Sequence, residues 1–152
     1  MKMYIAVLDQ VPDFMVPTLV AHTVLAAHHH FLQTKVDIDN FGEYEFPDYV
    51  DWLENNFSKV VLRVNQKEFN KIAALEYTYL GHENTTLEGR KCCAIPLVCA
   101  NEDRPNVLRF AKMWAPDNTE LVKELAAWKQ VPDDLDCTSD VIYKDGKIVY
   151  VY

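Results

Sequence analysis

The stretch that most limits what this chain can fold into is its first 31 residues. A short apolar run, Met3 to Leu8, breaks at Asp9-Gln10-Val11-Pro12-Asp13. A helical pattern opening on Pro17 then follows through Leu19, Val20, Val24, Ala27 and Phe31. Strand, turn and helix in that order place the turn at the carboxyl end of a strand, where open α/β sheets hold their ligands. The helix carries His22, His28, His29 and His30, four of the five histidines in the chain. Any chemistry is expected at this turn and helix, together with the loop around the fifth histidine, His82.

The rest of the pattern repeats the alternation. A polar and aromatic segment from Thr34 to Phe46 leads to Pro47 and a short helix over 48–55, with Tyr49, Trp52 and Leu53 on one face. Lys59-Val60-Val61-Leu62-Arg63-Val64 is β-branched and apolar in its middle, as a buried strand would be. Asn65 followed three residues later by Glu68 is close to a capping box, and Phe69, Ile72 and Ala73 predict a helix to about Glu76. Tyr77 to Leu80 reads as a short strand and 81–89 as a polar loop. Lys91 to Cys99 reads as a central strand disturbed in its later half by Pro96. Pro105-Asn106 opens a helix carrying Val107, Leu108, Phe110, Ala111 and Trp114. Asn118 is placed to cap a helix from Thr119 to Lys129, with Leu121, Val122, Leu125 and Trp128 facing inward. Finally Val141 to Lys144 and Lys147 to Tyr152 flank Asp145-Gly146, a strong hairpin signal. Strands alternating with helices predict an α/β fold: a three-layer-type sandwich around a mixed, mostly four-stranded sheet, with a C-terminal helix and β-hairpin added.

Composition narrows the function. With 152 residues and 49% hydrophobic content the chain can bury an ordinary core. No apolar run approaches the roughly 18 residues of a membrane span. The opening residues lead straight into a strand pattern without signal-peptide design, so a cytoplasmic location is expected. Cys92, Cys93, Cys99 and Cys137 form no CxxC pair, so zinc spacing and a thioredoxin-type redox motif are both excluded. The net charge of −8 opposes non-specific nucleic-acid binding. That charge is uneven: seven acids between 36 and 58 and four between 132 and 140 stand without a base. Setting those eleven aside leaves 12 acids against 15 bases. The two serines, Ser58 and Ser139, occupy no GxSxG elbow, and no phosphate loop or GxGxxG is present. Three consecutive histidines on a helix point about 100° apart and do not converge on one ion, so neither metal nor cofactor is expected.

Order and residues together resemble the second family of peptidyl-tRNA hydrolases, the archaeal and eukaryotic type, over roughly residues 1–115. Lys2-Met3-Tyr4-Ile5-Ala6-Val7-Leu8 with the small residues Val20-Ala21-His22 and Ala26-Ala27 is similar to the family's opening strand and helix. Lys59 to Val64 followed by Lys67-Glu68-Phe69 is similar to its second strand and next helix. The segment from Gly81 to Gly89 with Cys92 to Val98 looks like its active loop and last core strand. The resemblance implies a peptidyl-tRNA hydrolase-like domain over 1–115 and an extension over 116–152 packed on it. The family's Gly-Lys at the first helix falls here on Pro17-Thr18, and its glutamine one turn later on His22. Its loop aspartate has no counterpart in Gly81-His82-Glu83-Asn84-Thr85, and its threonine after the later glycine is Cys92.

Hydrolysis of a tRNA-linked ester needs a positioned water, a base and a way to stabilise an oxyanion. His22, His82 and Glu83 are candidate bases, with Thr85 beside them. Thr18, Asn84 and Lys91 are candidate substrate contacts. The bland reading stands alongside: His22 lies on a helix surface and the loop is a polar turn. A second function class is a catalytically silent domain of this fold that binds a protein, a nucleotide or an RNA. Partners in view are therefore tRNA or a small-molecule ester, a protein, or a second copy in a homodimer, with no membrane. Tyr44, Phe46, Tyr49, Trp52 and Phe57 read either as a partner surface or as a segment buried against the sheet. Nine dispersed bases, from Lys59 and Arg63 through Lys67, Lys71 and Arg90 to Lys112, read as a phosphate-contacting face or as ordinary surface charge.

Overall fold

The computed structural model describes residues 1–35, 39, 42–115, 118–132, 141–144 and 147–150. Two compact units are present, Met1–Trp114 and Ala115–Tyr152. The first is a five-stranded mixed sheet of β1 (Met3–Leu8), β2 (Lys59–Val64), β3 (Tyr79–His82), β4 (Lys91–Ile95) and β5 (Lys112–Met113), in the order β3-β4-β1-β2-β5. Its helices are α1 (Val16–Phe31), α2 (Pro47–Asp51), α3 (Gln66–Ala73) and α4 (Asn106–Arg109).

All six residues of β1 are buried, as are Cys92 to Ile95 of β4, so both sheet faces are covered. That burial is why β1 reads as an unbroken apolar run instead of an alternating one. β1 and β2 pair in parallel, with Met3 opposite Lys59 and Leu8 opposite Val64. The crossovers from β1 to β2 and from β2 to β3 step along the sheet in opposite directions. Right-handedness of each therefore puts α1 and α3 on opposite faces. α1 packs on β3, β4 and β1, and α3 on β1, β4 and β2.

Local chemistry decides most boundaries. Pro17 sits in the first turn of α1, where its missing N–H is harmless. In α3 the capping box is complete: Asn65 Oδ1 accepts the Glu68 amide at 2.8 Å, and Glu68 Oε1 accepts the Asn65 amide at 3.1 Å. α3 stops at Ala73, short of the expected Glu76. Thr78 Oγ1 donates to the carbonyls of Ile72 (3.2 Å) and Leu75 (2.9 Å), and Tyr77 turns the chain with φ +61°. β3 consequently begins at Tyr79 and takes in Gly81 and His82, which the sequence pattern assigns to the loop. Pro96 ends β4, because a residue without an amide donor cannot continue the ladder. Beyond it Cys99 returns to pair with Lys2.

Three expectations need correction. The sheet has five strands, because the helix from Asn106 ends at Arg109 and frees Lys112–Met113 to pair antiparallel with β2. A two-residue strand is too short to leave an alternating pattern. The helix over 48–55 is α-helical only to Asp51 and continues as a π-helical turn, Trp52–Asn56, closed by Phe57 at φ +61°. In the second unit, α5 (Asn118–Lys129) forms, but its apolar residues do not face inward: Leu121 is 38% exposed, Val122 66% and Trp128 71%. Amphipathic spacing shows that a helix has an apolar side, not what that side meets. The hairpin strands β6 (Val141–Lys144) and β7 (Lys147–Tyr150) pair with Val141 opposite Tyr150. The Asp145-Gly146 turn, Cys137 and the acidic run at 133–140 lie outside the described residues. No described helix is long and apolar enough to cross a membrane.

Candidate functional site

The strand directions bring two distant loops together. β3 is antiparallel to β4, and β4 to β1, so β1, β2 and β3 all finish at one end of the sheet, where β4 begins. The turn after β1 is tied there by the Asp9 amide donating to the Val64 carbonyl at 2.8 Å. Between that turn and the loop before β4 lies a cavity of about 180 Å³, lined by Leu8, Gln10, Val11, Leu87, Arg90 and Cys92 among others.

The predicted site residues gather nearby, on the α1 side. His22, exposed on α1, and His82, half-buried at the end of β3, meet edge to face with ring centroids 6.5 Å apart. This meeting depends on Gly81. A Cβ there would overlap Oγ1 and Cγ2 of Thr23, so only glycine lets β3 pass this close beneath α1. Thr23 is fully buried and donates to the Leu19 carbonyl at 2.8 Å, which holds it in place. The register shifts between Gly81 and His82, and such a bulge re-aims a side chain. His82 Nδ1 is buried with no hydrogen-bond partner.

Glu83 has another occupation. Its carboxylate accepts the amides of Thr85 (2.6 Å), Thr86 (2.8 Å) and Leu87 (2.8 Å). Donation from Leu87 above all holds its carboxyl below the ordinary range; desolvation, the next-largest effect, opposes it, and Thr85 and Thr86 add to the lowering. A carboxylate so engaged organises the loop and is a weaker proton acceptor than a free one. The loop closes where the Gly89 amide reaches the Glu83 carbonyl (2.9 Å), with Glu88 and Gly89 both at positive φ. Thr18, Asn84, Thr85 and Lys91 are all exposed, with Thr18 one turn before His22 and Lys91 opening β4.

The sheet separates the histidine pair from the cavity, whereas the 83–90 loop reaches both. Cys93 pairs with Gly81 and hydrogen-bonds Thr23, so it faces α1, and burial pushes its thiol up to about 12. Alternation along the strand then turns Cys92 to the α3 face, where it lines the cavity with Leu8. None of the seven sequence-predicted residues lines that cavity. Sequence reasoning did not place Gln10 at a site, read Arg90 only among the dispersed bases, and took Cys92 only as the counterpart of the family's threonine. The readable signal was the adjacency of Cys92 and Cys93, which in any strand must serve opposite faces. Burial raises the Cys92 thiol despite the opposing pull of Arg90.

Of the remaining histidines, His28 and His30 serve packing and His29 is exposed. His28 Nδ1 lies 2.8 Å from the Tyr49 hydroxyl, and His30 stacks among Phe31, Phe46 and Tyr79. Phe46, Tyr49 and Trp52 are buried, whereas Tyr44 and Phe57 are 43% and 52% exposed. Among the described residues no three His, Cys, Asp or Glu side chains are grouped to hold a metal ion.

No protein-family model, curated protein or solved structure matches this chain. The site's own geometry therefore carries the functional argument.

Proposed function

We propose that the protein is an ester hydrolase of the acyl- or peptidyl-tRNA type, related to the second peptidyl-tRNA hydrolase family, working through a rebuilt site on His22 and His82. One observation carries the reading: two histidines 60 residues apart in sequence meet at the carboxyl end of the parallel strands, one open to solvent and one with an unpartnered ring nitrogen. Imidazole both accepts and donates a proton near neutral pH. In this scheme one imidazole takes a proton from water as the water oxygen bonds to the ester carbonyl carbon. The same proton passes to the ribose oxygen as the carbon–oxygen bond breaks, leaving a carboxylic acid and a free hydroxyl. Thr18, Thr85 and Asn84 are the candidate donors to the oxyanion, and Lys91 to a substrate phosphate.

The test is release of the acyl group from an N-acetylated aminoacyl-tRNA by the purified protein. His22→Ala and His82→Ala should each lower the rate by roughly 100-fold or more, the usual scale for a lost acid–base group. An inactive parent protein, or full activity in both variants, rejects the reading.

The second reading, a catalytically silent binding module, is favoured by the cavity on the opposite face, with Arg90 at its wall and no histidine in its lining. Under that reading Arg90→Glu abolishes complex formation in a pull-down and the histidine variants leave it unchanged.

A further inference from the structure

α3 and α4 leave a groove of about 500 Å³ between them, lined by Asn65, Lys67, Glu68, Lys71, Val107 and Phe110 among others. Lys67 and Lys71 are four apart, so one face of α3 presents both ammonium groups. Like charges at that spacing destabilise a helix slightly unless something neutralises them. Neither lysine has an ion-pair or hydrogen-bond partner among the described residues. The carboxylate in the groove, Glu68, is already tied to the Asn65 amide in the capping box.

Phe110 faces the same groove and exposes 75% of its surface, more than any other large apolar side chain described. Its place is set by the early end of α4: the Phe110 amide still bonds the Asn106 carbonyl at 3.0 Å, and the chain then leaves for β5. An uncovered ring beside two uncompensated cations has the two parts needed to hold a base and its phosphate. The ring stacks on a flat heterocycle of any identity, and the ammonium groups neutralise the backbone charge. An acidic peptide would satisfy the lysines but leave the ring face without a flat partner.

We propose that the α3–α4 groove binds a nucleoside phosphate unit, base stacked on Phe110 and phosphate held by Lys67 and Lys71. This goes beyond the hydrolase reading and does not rest on it, since the groove lies on the face opposite the histidine pair. The net charge of −8 makes this a local site and not a general affinity for nucleic acid; on a strand the two lysines neutralise about two neighbouring phosphates.

The experiment is anisotropy of a labelled ten-nucleotide oligouridylate with the full chain, alongside calorimetry with uridine monophosphate. Two neutralised phosphates on a single strand give a salt slope near −1.4, so the oligomer's Kd should rise about sevenfold between 50 and 200 mM salt. Lys67→Ala should halve that slope. Phe110→Ala should weaken binding by roughly 5- to 150-fold, the range for loss of one stacked base. All three side chains are exposed, so these variants keep the fold, and circular dichroism checks it. Binding of the monophosphate identifies a free nucleotide as sufficient; binding of the oligomer alone identifies a strand. The proposal is overturned if neither binds at 50 mM salt. It is equally overturned if Phe110→Ala and the Lys67→Ala/Lys71→Ala pair both leave affinity unchanged, or if a glutamate decapeptide binds more tightly than either probe. None of these readouts uses turnover, so an inactive enzyme would not be mistaken for an empty groove.

Discussion

Gly81→Ala tests the contact on which the histidine pair depends. Gly81 has ordinary negative φ, so on backbone grounds alanine would stabilise the chain by about 0.4–1 kcal/mol through a less flexible unfolded state. Packing says the reverse. The new methyl would lie 2.7 Å from Thr23 Cβ and overlap both branches beyond it. Thr23 is β-branched, fully buried and bonded to Leu19, so its rotamer has nowhere to go. Overpacking of this kind costs about 1–3 kcal/mol, and overlap with several atoms belongs to the upper half of that range. Subtracting the backbone gain leaves a net loss of about 1–2.6 kcal/mol. Urea unfolding of Gly81→Ala, Thr23→Ala and the double variant measures it. In the Thr23→Ala background two of the three overlapping atoms are gone, so the cost of Gly81→Ala should fall by about 1 kcal/mol, the coupling expected of touching residues. A Gly81→Ala protein as stable as its parent would show that α1 and β3 do not approach this closely, and the reasoning for the His22–His82 meeting would go with it.

Three further predictions rest on separate observations. Asn65→Ala removes the acceptor of the capping box and should lower stability by about 1 kcal/mol in the same assay. Glu83 has a folded-state carboxyl held below its unfolded value, so its contribution to loop order is present at neutral pH and is lost as pH falls through the lowered value. Amide exchange at Thr85, Thr86 and Leu87 should accelerate on acidification relative to intrinsic rates, and Glu83→Gln should remove most of that dependence. Cys93, buried with its thiol pushed up to about 12, should resist a thiol reagent at pH 8 in the native protein and react only on unfolding, as mass spectrometry of the labelled peptides will report.

The elements whose formation is local were legible in the chain. β1 could be read because burial on both faces demands six consecutive apolar residues, and α3 because Asn65 and Glu68 satisfy each other's backbone amides within one turn. The start of α1 follows from Pro17's fixed φ at a position that needs no donor, and the break at Pro96 from its missing donor. What depends on partners distant in sequence was not legible. β5 is two residues long and exists only because β2 offers an edge, so no periodicity announces it. The apolar stripe of α5 was visible, but its exposure was not, since spacing names a face and not its cover. Within the candidate site, the residue types of His22, His82 and the loop were evident from the sequence.

The sequence alone determined the locally encoded elements β1, α1, β2 and α3, because caps, prolines and apolar runs act over a few residues. Only the tertiary structure decided what those elements share. The missing Cβ of Gly81 seats β3 against Thr23, the Glu83 carboxylate is filled by its own loop, and alternation along β4 sends Cys92 and Cys93 to opposite faces. Each of those outcomes is a contact or a direction in space, and it exists only once the sheet register is set.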